Sequence, residues 1–145
     1  MNTQTDKTTY LVGDQHTEIR GTNPDPVGML IKSNSEGNIM SALSRGFFDV
    51  PGSARGVGVR RGDPVYILEL KTDEAFLAGQ FLGCEPCPND ADWADNDEGK
   101  SNVFTWRIHF TRGPPRKAGS VGIEFKFNRS HRSTVVVNKL YRSLP

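Results

Sequence analysis

Short apolar runs, separated by segments rich in glycine, proline and polar residues, constrain the fold of this chain most strongly. The runs are "MLIK", "PVYILEL", "FLAGQFLG", "VFTWRIHF", "VGIEFKFN" and "STVVVNKLYRSL", and they have the length or the alternation of β-strands. The polar "KTDEA" between the second and third run predicts a hairpin. Several strands with one or two helices predict the α+β class, with a curled mixed β-sheet or barrel flanked by helices.

One helix is predicted directly after "MLIK". The apolar positions that recur at helical spacing are Ile39, Met40, Leu43 and Phe47. Ser33, Asn34 or Ser35 is a suitable N-cap, and Gly46 is a typical C-terminal stop. The sequence therefore places a strand, a polar turn and a helix in direct succession.

The chain of 145 residues has the length of one domain. "GTNPDPVG" predicts a linker, so residues 1–26 are expected to form an N-terminal arm, with an edge strand in "TYLVG", and residues 27–145 the core domain. No apolar run approaches the roughly 18 residues that span a bilayer. The first residues lack a secretory signal, which predicts reduced thiols and an intracellular protein, cytoplasmic or nuclear. We also expect a monomeric domain of a larger protein or complex.

Charge is unevenly distributed along the chain. Residues 101–145 carry nine basic side chains against one acidic residue, Glu124, a net charge of +8. Because the whole chain has a net charge of +1, the first 100 residues carry −7. A basic segment of this kind is typical of a surface that binds a polyanion. The alternative is that acidic and basic segments face each other in the fold.

Several patterns resemble ligand-binding motifs but lack the residue spacing that those motifs require. "CEPC" is half of a zinc motif without its second half, and "GVGVRRGD" matches neither a Walker A loop nor a dinucleotide fingerprint. The acidic stretch "CEPCPNDADWADNDEGKSN" lacks the register of a calcium loop and predicts a long excursion from the core. No nucleophile motif accompanies His16, His109 or His131. We therefore expect a binding protein, not an enzyme, with no cofactor and no metal.

The turn after "MLIK" is the strongest candidate for a site. Asn34 and Asn38 are four residues apart at a helix start, and an amide both donates to and accepts from the edge of a base. Phe48 follows at the other end of the helix, where its ring could cover that base. The alternative is that Asn34 caps the helix, Asn38 is solvated, and Phe47 and Phe48 belong to the core.

These residues resemble the start of the YTH domain, a reader of N6-methyladenosine in RNA. The pattern "LIKSN…N…AL…GFF…VP" is similar to that family's strand, asparagine, helix and first cage tryptophan, and Phe48 stands at the tryptophan's position. "PVYILEL…FLAGQF", "DW", "VFTWRIHFTRGPP" and "NRSHR…VVVN" are similar to later parts of the domain. The resemblance covers about residues 27–139 and implies a PUA-like fold and single-stranded RNA as the partner.

Carried over by position, the resemblance implies a base pocket. Asn34 and Asn38 would bond the edge of the adenine, and Phe48 and Trp93 would sandwich the base. Backbone groups of Asp49 would meet the methylated N6.

The resemblance also implies supporting residues. Lys32 and Ser33 would lie at the mouth of the pocket. The residues implied to hold phosphates are Arg129, Arg132 and Lys139.

The sequence departs from the YTH pattern in the pocket. Phe48 is smaller than tryptophan, Asp49 brings a negative charge, and acids surround Trp93. The pattern "FFDVPGSARGVGVRRGDPVYI" also resembles EVE domains, which share the PUA-like architecture and can read modified DNA bases, in restriction systems among others. A third hypothesis is an interaction module whose pocket is filled by its own side chains.

Overall fold

The computed structural model describes residues 8–13, 26–51, 59–86, 105–114, 116–127 and 137–142. This part of the chain contains nine strands and one α-helix. The strands are β1 (Thr8–Gly13), β2 (Gly28–Ser33), β3 (Phe47–Pro51), β4 (Pro64–Glu69), β5 (Glu74–Pro86), β6 (Thr105–Phe110), β7 (Arg116–Lys117), β8 (Ile123–Phe127) and β9 (Val137–Arg142). The α-helix, α1, spans Glu36–Arg45, and a 3-10 helix spans Ala118–Val121.

The strands form one mixed sheet. Its order is β3-β6-β5-β4-β2-β9-β1-β8, and β7 pairs with β5 outside this path. β2 runs parallel to β4, and β1 runs parallel to β8, whereas the other neighbours are antiparallel. The prediction of a strand-rich α+β fold with a mixed sheet is confirmed, as is the hairpin of β4 and β5.

The N-terminal strand lies inside the sheet and not at its edge. β1 pairs with β9 on one side and with β8 on the other. Tyr10 and Val12 are both buried, which ties the strand to the core. The prediction of an edge strand in this segment is therefore wrong, although the strand itself is present.

The predicted helix is confirmed, with two corrections to its apolar face. Ser35 is the N-cap, and its hydroxyl accepts a hydrogen bond from the backbone N–H of Asn38 at 3.2 Å. Gly46 ends α1 with φ of 85°, a left-handed conformation that favours glycine. Because the chain turns there, Phe47 begins β3 instead of extending the helix. Met40 is 58% exposed and does not belong to the core.

β5 is long because it pairs with two different strands. Its first half pairs with β4, and its second half, which includes Cys84, pairs with β6. The pairing of β5 with β4 is irregular at Gly79, where a Cβ would lie only 2.1 Å from the carbonyl oxygen of Thr111. The residues "CEP", expected in the acidic excursion, instead continue the strand as far as Pro86.

Apolar side chains cover both faces of the central strands. Alternate residues of β2 point to opposite faces, so Met29 and Ile31 belong to one cluster and Leu30 to another. The first cluster also contains Ile39 and Leu43 of α1. The second cluster is built largely from the aromatic and aliphatic residues Tyr10, Val12, Tyr66, Leu68, Ala118 and Leu140. This double burial explains why "MLIK" and "PVYILEL" are continuous apolar runs.

Candidate nucleic-acid interface

The turn between β2 and α1 presents the two predicted amides. Asn34 and Asn38 are both exposed at the start of the helix. Ser33 is the last residue of β2, and its hydroxyl accepts a hydrogen bond from the backbone N–H of Ser35 at 3.2 Å. Lys32 is only 5% exposed and interacts with other groups of the protein. At this turn the side chains of Asn34 and Asn38 are thus exposed, together with that of Glu36.

Phe48 lies in the core. It is 8% exposed and belongs to the cluster that contains Ile39, Leu43 and Val50. Its ring points to the inner face of β3, whereas Phe47 and Asp49 point to the outer face. This position agrees with the alternative in which Phe48 is a packing residue and Asn38 is solvated. Trp93, the other predicted cage residue, lies outside the described residues.

Asp49 is held by an ion pair on the outer face of β3. The guanidinium of Arg107 on β6 donates two hydrogen bonds to its carboxylate, Nε to Oδ1 at 2.7 Å and Nη2 to Oδ2 at 2.9 Å. Asp49 and Arg107 are cross-strand partners, which brings the two side chains to the same face. The negative charge at position 49 is therefore compensated within the protein.

The same face carries an aromatic ring covered by cations. The guanidinium carbons of Arg107 and Arg45 lie 4.0 Å and 4.3 Å from the centroid of the Phe47 ring. His109 lies across from Phe47, and its Nε2 contacts the carboxylate of Glu85 at 2.5 Å. This outer face therefore presents both cationic and anionic side chains. Among the described residues, no group of three or more His, Cys, Asp or Glu side chains is arranged to hold a metal ion.

Three exposed arginines lie at the end of α1, just after β6 and on β7. The side chain of Arg112 runs over Gly46, and its guanidinium donates to the carbonyl of Ser44 at 3.5 Å. Arg45 occupies the last turn of α1 next to Gly46. Arg112 and Arg116 both line a hollow of about 140 Å³. We call Arg45, Arg112 and Arg116 the arginine surface.

The hollow beside the arginine surface suits an anion. Its other described lining residues are Leu77, Ala78, Gly79, Thr111, Gly113 and Pro114, none of which is acidic. Its volume corresponds to about four water molecules. Its described lining contains two arginines and no carboxylate, which favours an anionic group.

Of the three predicted phosphate-binding residues, Lys139 is within the described part of the chain. Lys139 is half-buried on β9, between Met29 of β2 and Gly13 of β1, and interacts with other protein groups. Arg129 and Arg132 lie outside the described residues. Sequence reasoning counted Arg112 and Arg116 only as part of the basic segment, and it missed Arg45. The basic, proline-interrupted "TRGPPRK" was the available signal.

The second cluster contains a tyrosine with a shifted pKa. Burial raises the pKa of the Tyr66 hydroxyl above its usual value, and the neighbouring Tyr10 adds to the rise. The two ring centroids are 5.9 Å apart. Tyr66 is therefore a neutral structural residue over the ordinary range of pH.

In the described residues, no helix is long and apolar enough to cross a membrane.

Comparisons with protein-family models, with curated proteins and with solved structures give no significant match. The resemblance to the YTH domain, seen in the sequence, therefore stays a prediction. The chain belongs to the strand-rich α+β class by its own structure.

Proposed function

We propose that this protein is a nucleic-acid-binding module that holds the phosphate backbone on the arginine surface. The observation that carries the proposal is that Arg112 and Arg116 line one hollow, while Arg45 lies next to Gly46, over which the Arg112 side chain runs. Guanidinium groups bind phosphate oxygens in a bidentate manner, and clustered arginines gain affinity by counterion release. The basic charge of residues 101–145 supports the same partner.

The finer proposal concerns the base. We place the edge of an extruded nucleobase against the exposed amides of Asn34 and Asn38, at the opposite end of α1 from the arginine surface. Since α1 has ten residues, its length is about 15 Å, a distance that a few nucleotides of single-stranded RNA span. The resemblance to the YTH domain supports N6-methyladenosine as the base, a PUA-like fold and Trp93 as the stacking residue.

The backbone proposal is tested by the salt dependence of binding. Short single-stranded RNA and DNA are titrated with the protein at several salt concentrations, with fluorescence anisotropy as the measurement. Arg112→Ala and Arg116→Ala should each lower the salt slope by about 0.7, the contribution of one phosphate contact on a single strand. Lys126→Ala is the matched control, because Lys126 is an exposed cation on β8 at the opposite end of the strand order. An equal loss in all three variants would contradict the proposed surface.

The base proposal is tested with matched strands. RNA and DNA of one sequence, each with and without a single N6-methyladenine, are compared by calorimetry at fixed low salt. A tenfold preference for the methylated strand, about 1.4 kcal/mol, supports a methyl-reading pocket. A preference for DNA over RNA would favour the EVE-like alternative. Equal binding of all strands would leave a backbone binder and overturn the base proposal, and no binding would overturn both.

A further inference from the structure

A groove of about 510 Å³ opens on the face of the sheet that carries the second cluster. One wall is β8, another is the turn between β4 and β5, and the 3-10 helix closes one end. The groove lies on the other side of β7 from the arginine surface, since Lys117 lines the groove while Arg116 lines the hollow. Its volume falls within the range of about 300–1,000 Å³ that is typical of small-molecule sites.

Aromatic rings held in place by the core form part of the groove. Phe125 and Phe127 are half-buried against the second cluster and line the groove. The ring of Phe125 lies 5.2 Å from that of Tyr66 and 6.2 Å from that of Tyr10, centroid to centroid. Because these contacts restrict its motion, Phe125 presents a preformed aromatic surface. Such surfaces attract organic cations as well as apolar groups.

The charged groups around the groove also favour a cation. Its described charged lining residues are three carboxylates, Asp73, Glu74 and Glu124, and one ammonium group, Lys117. Lys117 forms an ion pair with Glu74 at 3.0 Å. Asp73 has a φ of 61°, and its backbone N–H donates to the carbonyl of Glu69 at 2.8 Å, which fixes the turn at the rim. The described lining of the groove thus contains three carboxylates, whereas that of the hollow beside the arginine surface contains none.

We propose that this groove is a second binding site, for a small organic ammonium ion with an aromatic or aliphatic body. The apolar body packs against Phe125, Phe127 and Ile123, and the ammonium group lies toward Asp73 and the aromatic faces. This inference does not depend on the proposed nucleic-acid function, because the two sites share no lining residue.

Three indole compounds of similar shape test the charge preference. Tryptamine is cationic, tryptophol is neutral and indole-3-acetate is anionic at neutral pH. Binding is measured by calorimetry, and the site is located by chemical-shift changes in the NMR spectrum of the labelled protein. We expect affinity to fall from tryptamine to tryptophol to indole-3-acetate. Equal affinity for the three compounds, or no binding of tryptamine, would overturn the proposal.

Two substitutions locate the site without disturbing the core. Gly119 lines the groove and a Cβ there meets no atom within 4 Å, so Gly119→Leu adds a bulky side chain at the groove without a clash at its Cβ. Asp73→Asn removes one charge and keeps a residue type that accepts positive φ. Gly119→Leu should abolish the binding of tryptamine and tryptophol alike. Asp73→Asn should lower the affinity for tryptamine about threefold, as expected for the loss of one exposed charge contact, and should leave the affinity for tryptophol unchanged.

Gly113→Leu is the matched control, since Gly113 also has open space at its Cβ but lines the hollow beside the arginine surface. It should weaken oligonucleotide binding and leave tryptamine binding intact, whereas Gly119→Leu should do the reverse. Unchanged tryptamine binding in Gly119→Leu would contradict the groove site. Unchanged oligonucleotide binding in Gly113→Leu would contradict the arginine surface instead, so the two proposals fail separately.

Discussion

Arg107 and Asp49 are 58 residues apart in sequence and form a two-point ion pair across β3 and β6. The side chain of Asp49 is 7% exposed and that of Arg107 is 16% exposed. Arg107 also lies over Phe47. One guanidinium therefore links the start of β3 to its middle and fixes the pairing of the two strands.

Removing either partner of this pair should destabilise the protein. Asp49→Ala and Arg107→Ala should each lower the free energy of unfolding by about 3 kcal/mol, because the remaining charge stays buried without its partner. The double variant should lose clearly less than the sum of the two. Urea denaturation of the four proteins measures the coupling. Additive losses would show that the pair contributes little.

Phe48 should behave as a core residue. Phe48→Ala should lower the free energy of unfolding by about 3–5 kcal/mol, because it leaves a cavity among the residues of the first cluster. Phe48→Leu should lower the free energy of unfolding by a smaller amount, since leucine retains most of the apolar volume. If Phe48→Leu is stable but loses a methyl preference that the wild type has, the ring contacts the base and its packing role is secondary.

Ser35 and Asn38 should separate helix stability from base binding. Ser35→Ala removes the N-cap and should cost about 1 kcal/mol of stability without changing oligonucleotide affinity. Asn38→Ala keeps the capping bond, which uses the Asn38 backbone, and should change stability by less than about 0.5 kcal/mol. Under the base proposal, Asn38→Ala weakens binding of the modified strand. Thermal denaturation and anisotropy, measured on both variants, give the comparison.

Gly79 should tolerate no side chain. Gly79→Ala places a Cβ against the Thr111 carbonyl, so the backbone near Gly79 or Thr111 must shift. We expect a loss of more than about 2 kcal/mol in the free energy of unfolding. Gly119→Ala is the control, because its Cβ meets open space. Similar stability of the two variants would show that the sheet adjusts there at little cost.

Tyr66 should make the protein less stable at high pH. The folded state holds the pKa of Tyr66 above the unfolded value of about 10, so the unfolded chain loses this proton first. Stability from this group is complete below about pH 10 and then falls by about 1.4 kcal/mol per pH unit. Denaturation of the wild type and Tyr66→Phe from about pH 8 to about pH 11 isolates the effect, because their other ionisable groups are shared. Equal slopes would contradict the assigned cause.

The sequence by itself determined the elements whose signals are local. The apolar runs of β2 and β4, the helical spacing of Ile39 and Leu43, and the stop at Gly46 each depend on residues a few positions apart. The α+β class and the β4–β5 hairpin were predictable for the same reason. "FFDVP" was missed as a strand because its partner, β6, begins more than fifty residues later.

Only the tertiary structure decided how the candidate sites are assembled. Phe48 and Asp49 are adjacent in sequence, yet one faces the core and the other an arginine, because neighbouring residues of a strand point to opposite faces. The Arg112 side chain reaches the end of α1, next to Arg45, because Gly46 leaves room for it, and Arg112 and Arg116 line one hollow. Such contacts arise from strand pairing and close packing between distant segments, and no pattern of neighbouring residues encodes them.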